Sequence, residues 1–218
     1  MDSIHVIALG DFGTAVAKNL ADGRPNITMT DSSGPWPASA SAQWPNAAIR
    51  ILLSWREAPA VADVIDARAA DWGTPWFTVT VDHPRLRLGP VVVPGAGACY
   101  RCFTRRRNQH ERDRASTSAV HDLYDRDPKA GPGGFLPHHV TLAAALAEAQ
   151  LDRFDAATLD DSAGTVRHYN LLDHQASTAT VVGLHGCDRC RPTTQRQDAT
   201  WAALARDLAQ HSTGERTK

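Results

Sequence analysis

Two short cysteine motifs constrain the fold of this chain more than any other feature of its sequence. The segments Cys99-Tyr100-Arg101-Cys102 and Cys187-Asp188-Arg189-Cys190 are both C-x-x-C, and together they contain every cysteine. A C-x-x-C turn brings two thiolates within reach of one ion, and two such turns supply the four sulfur ligands of a tetrahedral zinc site. The motifs are too far apart for a self-contained zinc finger, so the metal would join two distant segments.

Two other interpretations remain open, namely two vicinal disulfide pairs and four unrelated buried thiols. The N-terminal segment MDSIHVIALG lacks the basic region of a signal peptide, which indicates a cytoplasmic protein. In that compartment paired thiols favour metal over disulfide. We therefore expect a structural zinc ion on Cys99, Cys102, Cys187 and Cys190. A site closed by four cysteines has no open position, so the metal would hold structure rather than catalyse.

Composition limits the classes of function. The 218 residues suffice for one large domain or two small ones, with 42% hydrophobic and 22% charged residues. A net charge of −1 and the lack of a long apolar run indicate no nucleic-acid partner and no membrane association. We expect one domain over residues 1–192, followed by a C-terminal helix and tail over residues 193–218.

The first half of the chain alternates between strand and helix patterns. Residues 4–9 predict a strand, residues 10–13 a turn, and Thr14 the N-cap of a helix. A second strand runs from Ile27 to Asp31, and the following Pro- and Ser-rich stretch reads as a loop. Further strands are predicted at residues 49–54, 75–81 and 86–93, with a helix at 58–70. This alternation predicts an α/β fold: a Rossmann-like, mostly parallel sheet with helices on both faces.

The second half has fewer strand signals. The chain looks helical from the first cysteine motif through Arg112, and residues 113–137 are predicted to form a mobile crossover loop. Residues 138–154 give the clearest helix, whose predicted buried residues are Val140, Leu142, Ala145, Leu146, Ala149 and Leu151. Two late strands, at residues 165–172 and 178–184, predict a hairpin.

The turn after the first strand resembles a degenerate nucleotide-binding motif. A dinucleotide turn has the pattern G-x-G-x-x-G, whereas here Ala8 occupies the first position and Gly10 and Gly13 the others. Asp31 lies where an acid could bind a ribose hydroxyl, so the candidate nucleotide-binding residues are Gly10, Gly13 and Asp31. Asp11 would oppose phosphate at the helix N-terminus. The alternative is that the two glycines only allow close packing of helix on strand.

These features resemble the E1-like, ThiF/MoeB-type adenylating fold, which opens with a Rossmann unit and closes with two C-x-x-C pairs on zinc. The segment Gly89-Pro90-Val91-Val92-Val93-Pro94-Gly95 before the first pair is similar to the E1-like "C protein" of thiazole/oxazole-modified peptide biosynthesis. That resemblance covers most of residues 4–192. It implies a cyclodehydratase component that acts on ribosomally synthesised peptides such as bacteriocins.

The departures from that pattern bear on catalysis. Active E1-like enzymes carry an Asp-Asn motif after the third strand, whereas this chain has Ser54-Trp55-Arg56-Glu57. Asp63, Asp66 and Arg68 lie on the next helix, where we expect them to be solvated. The cysteines are all assigned to zinc, which leaves none for a thioester. We therefore expect no catalytic residue and no use of ATP or Mg²⁺.

The resemblance implies that the chain is a scaffold subunit that engages a precursor peptide and a YcaO-type cyclodehydratase, with homodimerisation carried over from the fold family. Family members commonly begin with a small winged-helix-like module, and this sequence begins at the Rossmann strand, so another polypeptide would supply peptide recognition or the binding mode would differ. The alternative functions are ATP-dependent adenylation of a peptide or sulfur-carrier carboxylate, and a zinc-stapled binding module without a role in peptide modification.

Other polar and aromatic residues have two interpretations each. An arginine cluster could bind an acidic peptide or form a solvated helix face: Arg101, Arg105, Arg106, Arg107, Arg112 and Arg114. His138 and His139 could bind metal, although a surface helix start is the simpler interpretation. Trp36 and Trp44 could anchor a contact, whereas core packing accounts for Trp55, Trp72 and Trp76.

Overall fold

The computed structural model describes residues 2–32, 38–127 and 129–190. Seven strands form one sheet in the order β2-β1-β3-β4-β5-β6-β7. Their bounds are β1 Ile4–Leu9, β2 Ile27–Ser32, β3 Ile49–Ser54, β4 Trp76–Asp82, β5 Arg85–Leu88, β6 Thr165–Asn170 and β7 Ala176–Thr180. The helices are α1 Gly10–Gly23, α2 Pro59–Trp72, α3 Tyr100–His110, α4 Arg114–Arg126 and α5 Pro137–Asp155, with 3-10 helices at Ala38–Gln43 and Leu159–Ser162.

The sheet has a parallel half and an antiparallel half. Strands β2, β1, β3 and β4 pair in parallel, and β5, β6 and β7 extend the sheet in antiparallel pairs. Only two residues connect β4 to β5, which is too few for the crossover that a parallel pair needs. The predicted α/β class is confirmed, as is the late hairpin of β6 and β7.

Helices cover both faces of the parallel half, as the alternating pattern predicts. On one face of the sheet, helices α1 and α5 pack against Ile4, Val6 and Phe77. On the other face, helices α2 and α3 pack against Ile7 and Leu52. All six residues of β3 are buried. Strands buried on both faces are apolar without alternation, which is why this strand was readable from its sequence.

Helix α1 begins earlier than predicted. The chain passes directly from β1 into the helix at Gly10, so residues 10–13 are its first turn and Thr14 is not the N-cap. Gly10 adopts a φ of +67°, a left-handed value that glycine reaches without steric cost. This conformation lets the backbone change direction within one residue.

The predicted loop at residues 113–137 is wrong over residues 114–126, which form helix α4, whereas residues 129–136 contain no helix or strand. Asp113 is the N-cap, and its side chain accepts hydrogen bonds from the Ser116 backbone N–H at 3.0 Å and from its hydroxyl. An aspartate three residues before a serine at the start of a polar stretch is a capping signal that the sequence interpretation missed. No side chain of α4 is buried.

Helix α5 forms as predicted, but its buried face was assigned one residue out of phase. The buried residues are Ala143, Ala144, Ala147, Gln150 and Leu151, whereas Ala145 and Ala149 are exposed. Val140, Leu142 and Leu146 are partly buried at the margins of this face. The helix rests on the sheet through alanines because a small side chain permits close approach, and alanine gives little periodic signal in a sequence.

Within the described residues, no helix combines the length and apolar character that crossing a membrane requires. The predicted C-terminal helix and tail, residues 193–218, lie outside the described residues.

Candidate metal centre and strand-end crevice

The four cysteines meet at one point although their motifs lie far apart in sequence. Cys99 immediately precedes α3, Cys102 lies in its first turn, and Cys187 and Cys190 follow β7. The Cys99 and Cys187 sulfurs are 3.7 Å apart, and the Cys102 and Cys190 sulfurs are 3.5 Å apart. All four sulfur atoms lie within 4.8 Å of one another.

This donor set fits a tetrahedral zinc ion. Four sulfurs at the usual zinc–sulfur distance of about 2.3 Å would lie about 3.8 Å from one another, close to the observed spacing. No disulfide links the four residues. Among the described residues they form the one group of three or more histidine, cysteine and acidic side chains that could hold a metal ion.

The thiols differ in their ease of deprotonation. Burial raises the pKa of the Cys99 thiol. Burial also raises the pKa of the Cys190 thiol, to about 11. At Cys187 burial also raises the pKa, but hydrogen bonds from the backbone N–H groups of Arg189 and Cys190 and from neighbouring thiols outweigh it and bring the value to about 7. Zinc binding to these sulfurs would therefore release protons.

The middle residues of the two C-x-x-C motifs contact each other and the adjacent helix α2. Both oxygens of Asp188 accept hydrogen bonds from Arg101 Nη1, at 2.8 and 2.9 Å. Arg189 Nη1 donates at 2.8 Å to both Asp63 and Asp66 of α2. A cavity of about 130 Å³ adjoins this cluster; Asp66, Arg189, Cys99 and Cys190 contribute to its lining together with the loop that contains Val92 and Pro94.

The expectation that Asp63, Asp66 and Arg68 are solvated is wrong for Asp66. Its side chain is fully buried, whereas the Asp63 side chain is 56% exposed and Arg68 forms a surface pair with Asp71. Asp66 was missed because its partners, Trp76, Tyr100, Arg101 and Arg189, are brought to it only by the fold.

The candidate nucleotide residues lie at the carboxyl ends of β1 and β2. Gly13 packs tightly on the sheet: a Cβ there would lie 2.5 Å from the Leu53 carbonyl oxygen. A Cβ on Gly10 would meet nothing within 4 Å, although its positive φ favours glycine. The backbone of Asp31 pairs with Ala8 in the sheet, and its side chain lies outside what the structure describes. Close packing thus accounts for Gly13, and the nucleotide-binding role of the three residues stays a prediction.

Aromatic side chains occupy the crevice beside these glycines. Trp55, directly after β3, packs on Phe12 of α1 with ring centroids 4.8 Å apart, and Phe135 lies 5.3 Å from Phe12 and 5.7 Å from Trp55. The His139 ring stacks on Trp55 with ring centroids 5.4 Å apart. Trp55 therefore packs against the core, as expected. The contacts of Phe135 and His139 with Trp55 were not predicted from the sequence, because its pattern predicts a mobile loop at the segment that contains Phe135.

A buried ion-pair cluster lies next to that crevice. Glu57 Oε1 accepts hydrogen bonds from Arg87 Nη2 at 2.8 Å and from Arg107 Nη1 at 2.7 Å. Both guanidinium groups lie over the Phe103 ring, at 4.7 and 5.3 Å from its centroid. The solvated-face interpretation of the arginine cluster is wrong for Arg107, whose guanidinium group pairs with the buried Glu57 carboxylate.

The remaining members of the arginine and tryptophan sets are divided between surface and core. Arg105, Arg112 and Arg114 are exposed, as a solvated face predicts. Trp76 is fully buried, but Trp72 is 46% exposed, which contradicts core packing there. Trp44 contacts the Trp72 and His5 rings. Trp36 lies outside the described residues.

At the start of α5, His138 is exposed, as the surface interpretation predicts, whereas His139 is partly buried. The backbone N–H of Leu136 donates to His139 Nδ1 at 3.2 Å, so this imidazole caps the helix. Burial and the neighbouring His138 lower the pKa of His139.

A parallel βαβ unit, an antiparallel extension of the sheet and four clustered cysteines from two distant segments define a mixed α/β fold. Comparison of the sequence with protein families and with curated proteins gives no match. Solved structures do share the fold. The heterocyclase TruD has a TM-score of 0.62 and 17% identity over 90% of this chain and 28% of its own.

Two further structures extend this comparison. A heterocyclase in complex with substrate and cofactor has a TM-score of 0.62 and 16% identity, over 91% of this chain and 26% of its own. E. coli MccB with ATP has a TM-score of 0.61 and 13% identity, over 87% of this chain and 67% of its own. At these identities the likeness establishes the fold, and the chain spans little more than a quarter of the heterocyclases. The predicted resemblance is confirmed at that level.

Proposed function

We propose that this chain is a non-catalytic, zinc-stapled E1-like subunit in azoline or azole formation on a ribosomally synthesised peptide. It would engage the precursor peptide and a YcaO-type cyclodehydratase, and that partner would perform the ATP-dependent chemistry. Structural zinc on Cys99, Cys102, Cys187 and Cys190 would hold the antiparallel half of the sheet against the parallel half. The fold shared with TruD supports the assignment to heterocycle formation.

The observation that carries the non-catalytic role is the packing at the carboxyl ends of β1 and β3. Ligands of open α/β sheets bind in the crevice at this edge. Here Phe12, Trp55 and Phe135 pack against one another in that position. The carboxylate after β3, Glu57, is committed to Arg87 and Arg107. A Mg²⁺–triphosphate would therefore find apolar rings where it needs carboxylate oxygens and space.

Reconstitution tests this proposal. The chain would be combined with a YcaO-type cyclodehydratase and a precursor peptide, and heterocycles would be counted by mass spectrometry as successive losses of water. We expect no conversion with the chain and peptide alone, and faster conversion when the chain is added to the YcaO enzyme. An unchanged rate, together with no binding of peptide or partner, would contradict the proposed role.

Adenylation of a carboxylate is the second candidate, because E. coli MccB with ATP has the same fold. In that case the chain would bind ATP through Gly10, Gly13 and Asp31 and would catalyse exchange of pyrophosphate into ATP. Calorimetry with ATP and Mg²⁺ distinguishes the candidates: the scaffold role predicts no heat of binding. Binding that is lost in Asp31→Asn but kept in Asp22→Asn, on the exposed surface of α1, would favour adenylation.

The remaining features of the proposal have their own measurements. Peptide engagement predicts a rise in fluorescence anisotropy of a labelled precursor peptide. Homodimerisation predicts a mass of two chains in light scattering at micromolar concentration. Cytoplasmic location predicts that a tagged chain fractionates with cytoplasmic markers.

A further inference from the structure

A buried carboxylate outside the four cysteines contacts both C-x-x-C motifs. We propose that Asp66 is the positioning residue of the metal centre: its buried carboxylate holds the two C-x-x-C turns in register so that four sulfurs can meet one ion. This inference rests on the zinc site in the proposed function, and it concerns how that site is built.

One carboxylate contacts the middle residues of both cysteine motifs. Asp66 Oδ1 accepts from the Tyr100 backbone N–H at 3.0 Å, and Oδ2 accepts from that of Arg101 at 3.4 Å. These are the two residues between Cys99 and Cys102. From the second motif, Arg189 Nη1 donates to Asp66 Oδ2 at 2.8 Å. Asp66 therefore connects the backbone of one turn to a side chain of the other.

The surroundings make this arrangement rigid. The Asp66 side chain is fully buried, and the indole N–H of Trp76, in the sheet, donates to Oδ1 at 3.3 Å. A buried carboxylate without hydrogen-bond donors is costly in free energy. The donors of Asp66 are therefore expected to stay in place together with its carboxylate. The amides of Tyr100 and Arg101 open α3, and a negative charge is favoured at a helix N-terminus.

Each motif places one arginine beside the cysteine cluster, and a carboxylate holds each of these arginines. Four thiolates around Zn²⁺ leave an excess of negative charge. Arg101 and Arg189, one from each motif, lie beside the cage. Asp66 holds Arg189 there, and Asp188 holds Arg101. Residues that orient metal ligands without binding the metal commonly change its affinity about 10–100-fold when they are replaced.

The test compares Asp66→Asn with Asp63→Asn, which removes the other, 56% exposed carboxylate that Arg189 contacts. Zinc affinity would be measured by competition with a chromogenic chelator, and thermal unfolding would be recorded with and without zinc. We expect Asp66→Asn to lower zinc affinity about 10–100-fold and to shrink the rise in Tm that zinc produces. Asp63→Asn would change both by less than about threefold.

A merely structural role for Asp66 has a different signature. In that case Asp66→Asn would lower Tm equally with and without zinc, and zinc affinity would stay at the wild-type value; this result would overturn the proposal. Cobalt substitution adds a spectroscopic readout, since the sulfur-to-cobalt bands of the wild-type protein should weaken or shift in Asp66→Asn and not in Asp63→Asn.

A second variant keeps the proposal testable if Asp66→Asn does not fold. Arg189→Gln removes the link to the second motif but leaves Asp66 on the amides of Tyr100 and Arg101. It should lower zinc affinity in the same direction, with α3 intact by circular dichroism; wild-type affinity in Arg189→Gln would contradict the proposal. Failure of wild-type protein to bind zinc at all would instead reject the metal site itself.

Discussion

Single residues decide how closely the elements of this fold approach one another. Gly13 lies in the first turn of α1, directly over β3, and a Cβ at this position would meet the Leu53 carbonyl oxygen and the Ala8 backbone. Both contacts are with backbone atoms, which cannot rotate away as a side chain would. The glycine is therefore required for packing whether or not a nucleotide binds.

Gly13→Ala should consequently destabilise the protein by about 1–3 kcal/mol through overpacking. Denaturant unfolding at neutral pH measures this change. Gly23→Ala is the matched control: it lies at the other end of α1, and a Cβ there would meet nothing within 4 Å. We expect that variant to be neutral or slightly stabilised. Equal effects of the two substitutions would show that α1 can move away from β3.

Glu57 is a buried carboxylate that pairs with two arginines. Burial raises its pKa, but Arg87 and Arg107 outweigh burial and hold the pKa below its ordinary value of 4.5. The Glu57 side chain is 5% exposed and that of Arg87 is 1% exposed, so the Arg87 charge would be buried without a carboxylate partner if Glu57 were lost. Breaking a buried pair on one side typically costs several kcal/mol.

Glu57→Gln should therefore destabilise the protein by about 3–5 kcal/mol at pH 7, as measured by denaturant unfolding. Because the folded pKa is depressed, the stabilisation is present above about pH 4.5 and is lost as the pH falls through the folded value. The difference between wild type and variant should shrink in acid. Asp71→Asn, which removes an exposed pair with Arg68, should change stability by less than about 0.5 kcal/mol.

At the scale of elements, α4 and α5 have opposite relations to the rest of the molecule. Helix α5 buries one face on the sheet, whereas no side chain of α4 is buried. Contacts at the start of α2 hold α4: Asp125 accepts from the Ala60 backbone N–H at 3.2 Å, and the Tyr124 ring lies 4.7 Å from the Arg56 guanidinium. Exposed polar contacts of this kind contribute little to stability.

Hydrogen exchange should therefore be faster in α4 than in α5. We expect the amides of residues 117–126 to exchange by local opening, and those of residues 143–151 to exchange only on global unfolding. Mass spectrometry of peptides from a labelling time course measures both in one sample. Asp125→Ala should accelerate exchange in α4 and leave α5 unchanged. Protection of α4 equal to that of α5 would mean that a partner or a second copy covers it in solution.

At the scale of the described chain, the sheet has two halves, and the four clustered cysteines come from segments on either side of them. Cys99 and Cys102 stand at the start of α3, which packs beneath the parallel half, whereas Cys187 and Cys190 follow the antiparallel edge strand β7. All five residues of β7 are exposed. We therefore expect a metal on the four cysteines to add to the attachment that Arg189 makes with Asp63 and Asp66 of α2.

Removal of zinc should loosen that attachment first. Purified protein is expected to contain about one zinc per chain, and chelation should lower Tm by about 10 °C or more, since structural zinc contributes several kcal/mol. Exchange should accelerate in residues 181–190 and at the start of α3, with β1 and β3 still protected. Re-addition of Zn²⁺, and not of Mg²⁺, should restore both measurements. Unchanged stability after complete chelation would contradict a structural metal.

Local patterns in the sequence determined the strands and the candidate metal ligands. The bounds of β1 and β3 follow from apolar runs, and two equal cysteine spacings predicted the cluster of four sulfurs that the fold forms. Such features are legible because each depends on neighbouring residues alone. The signal for helix α4 is also local, because Asp113 caps it. The polar composition of the segment led to the prediction of a loop instead.

The tertiary structure alone decided which polar and aromatic residues form the sites. Asp66 meets Arg189, Glu57 meets Arg107, and Trp55 meets Phe135 across long separations in sequence. A carboxylate on a helix has the same local pattern whether water or a buried guanidinium surrounds it. Its environment is set by how elements pack, and this is why the cysteine cluster could be predicted from the sequence and the buried carboxylate that contacts both motifs could not.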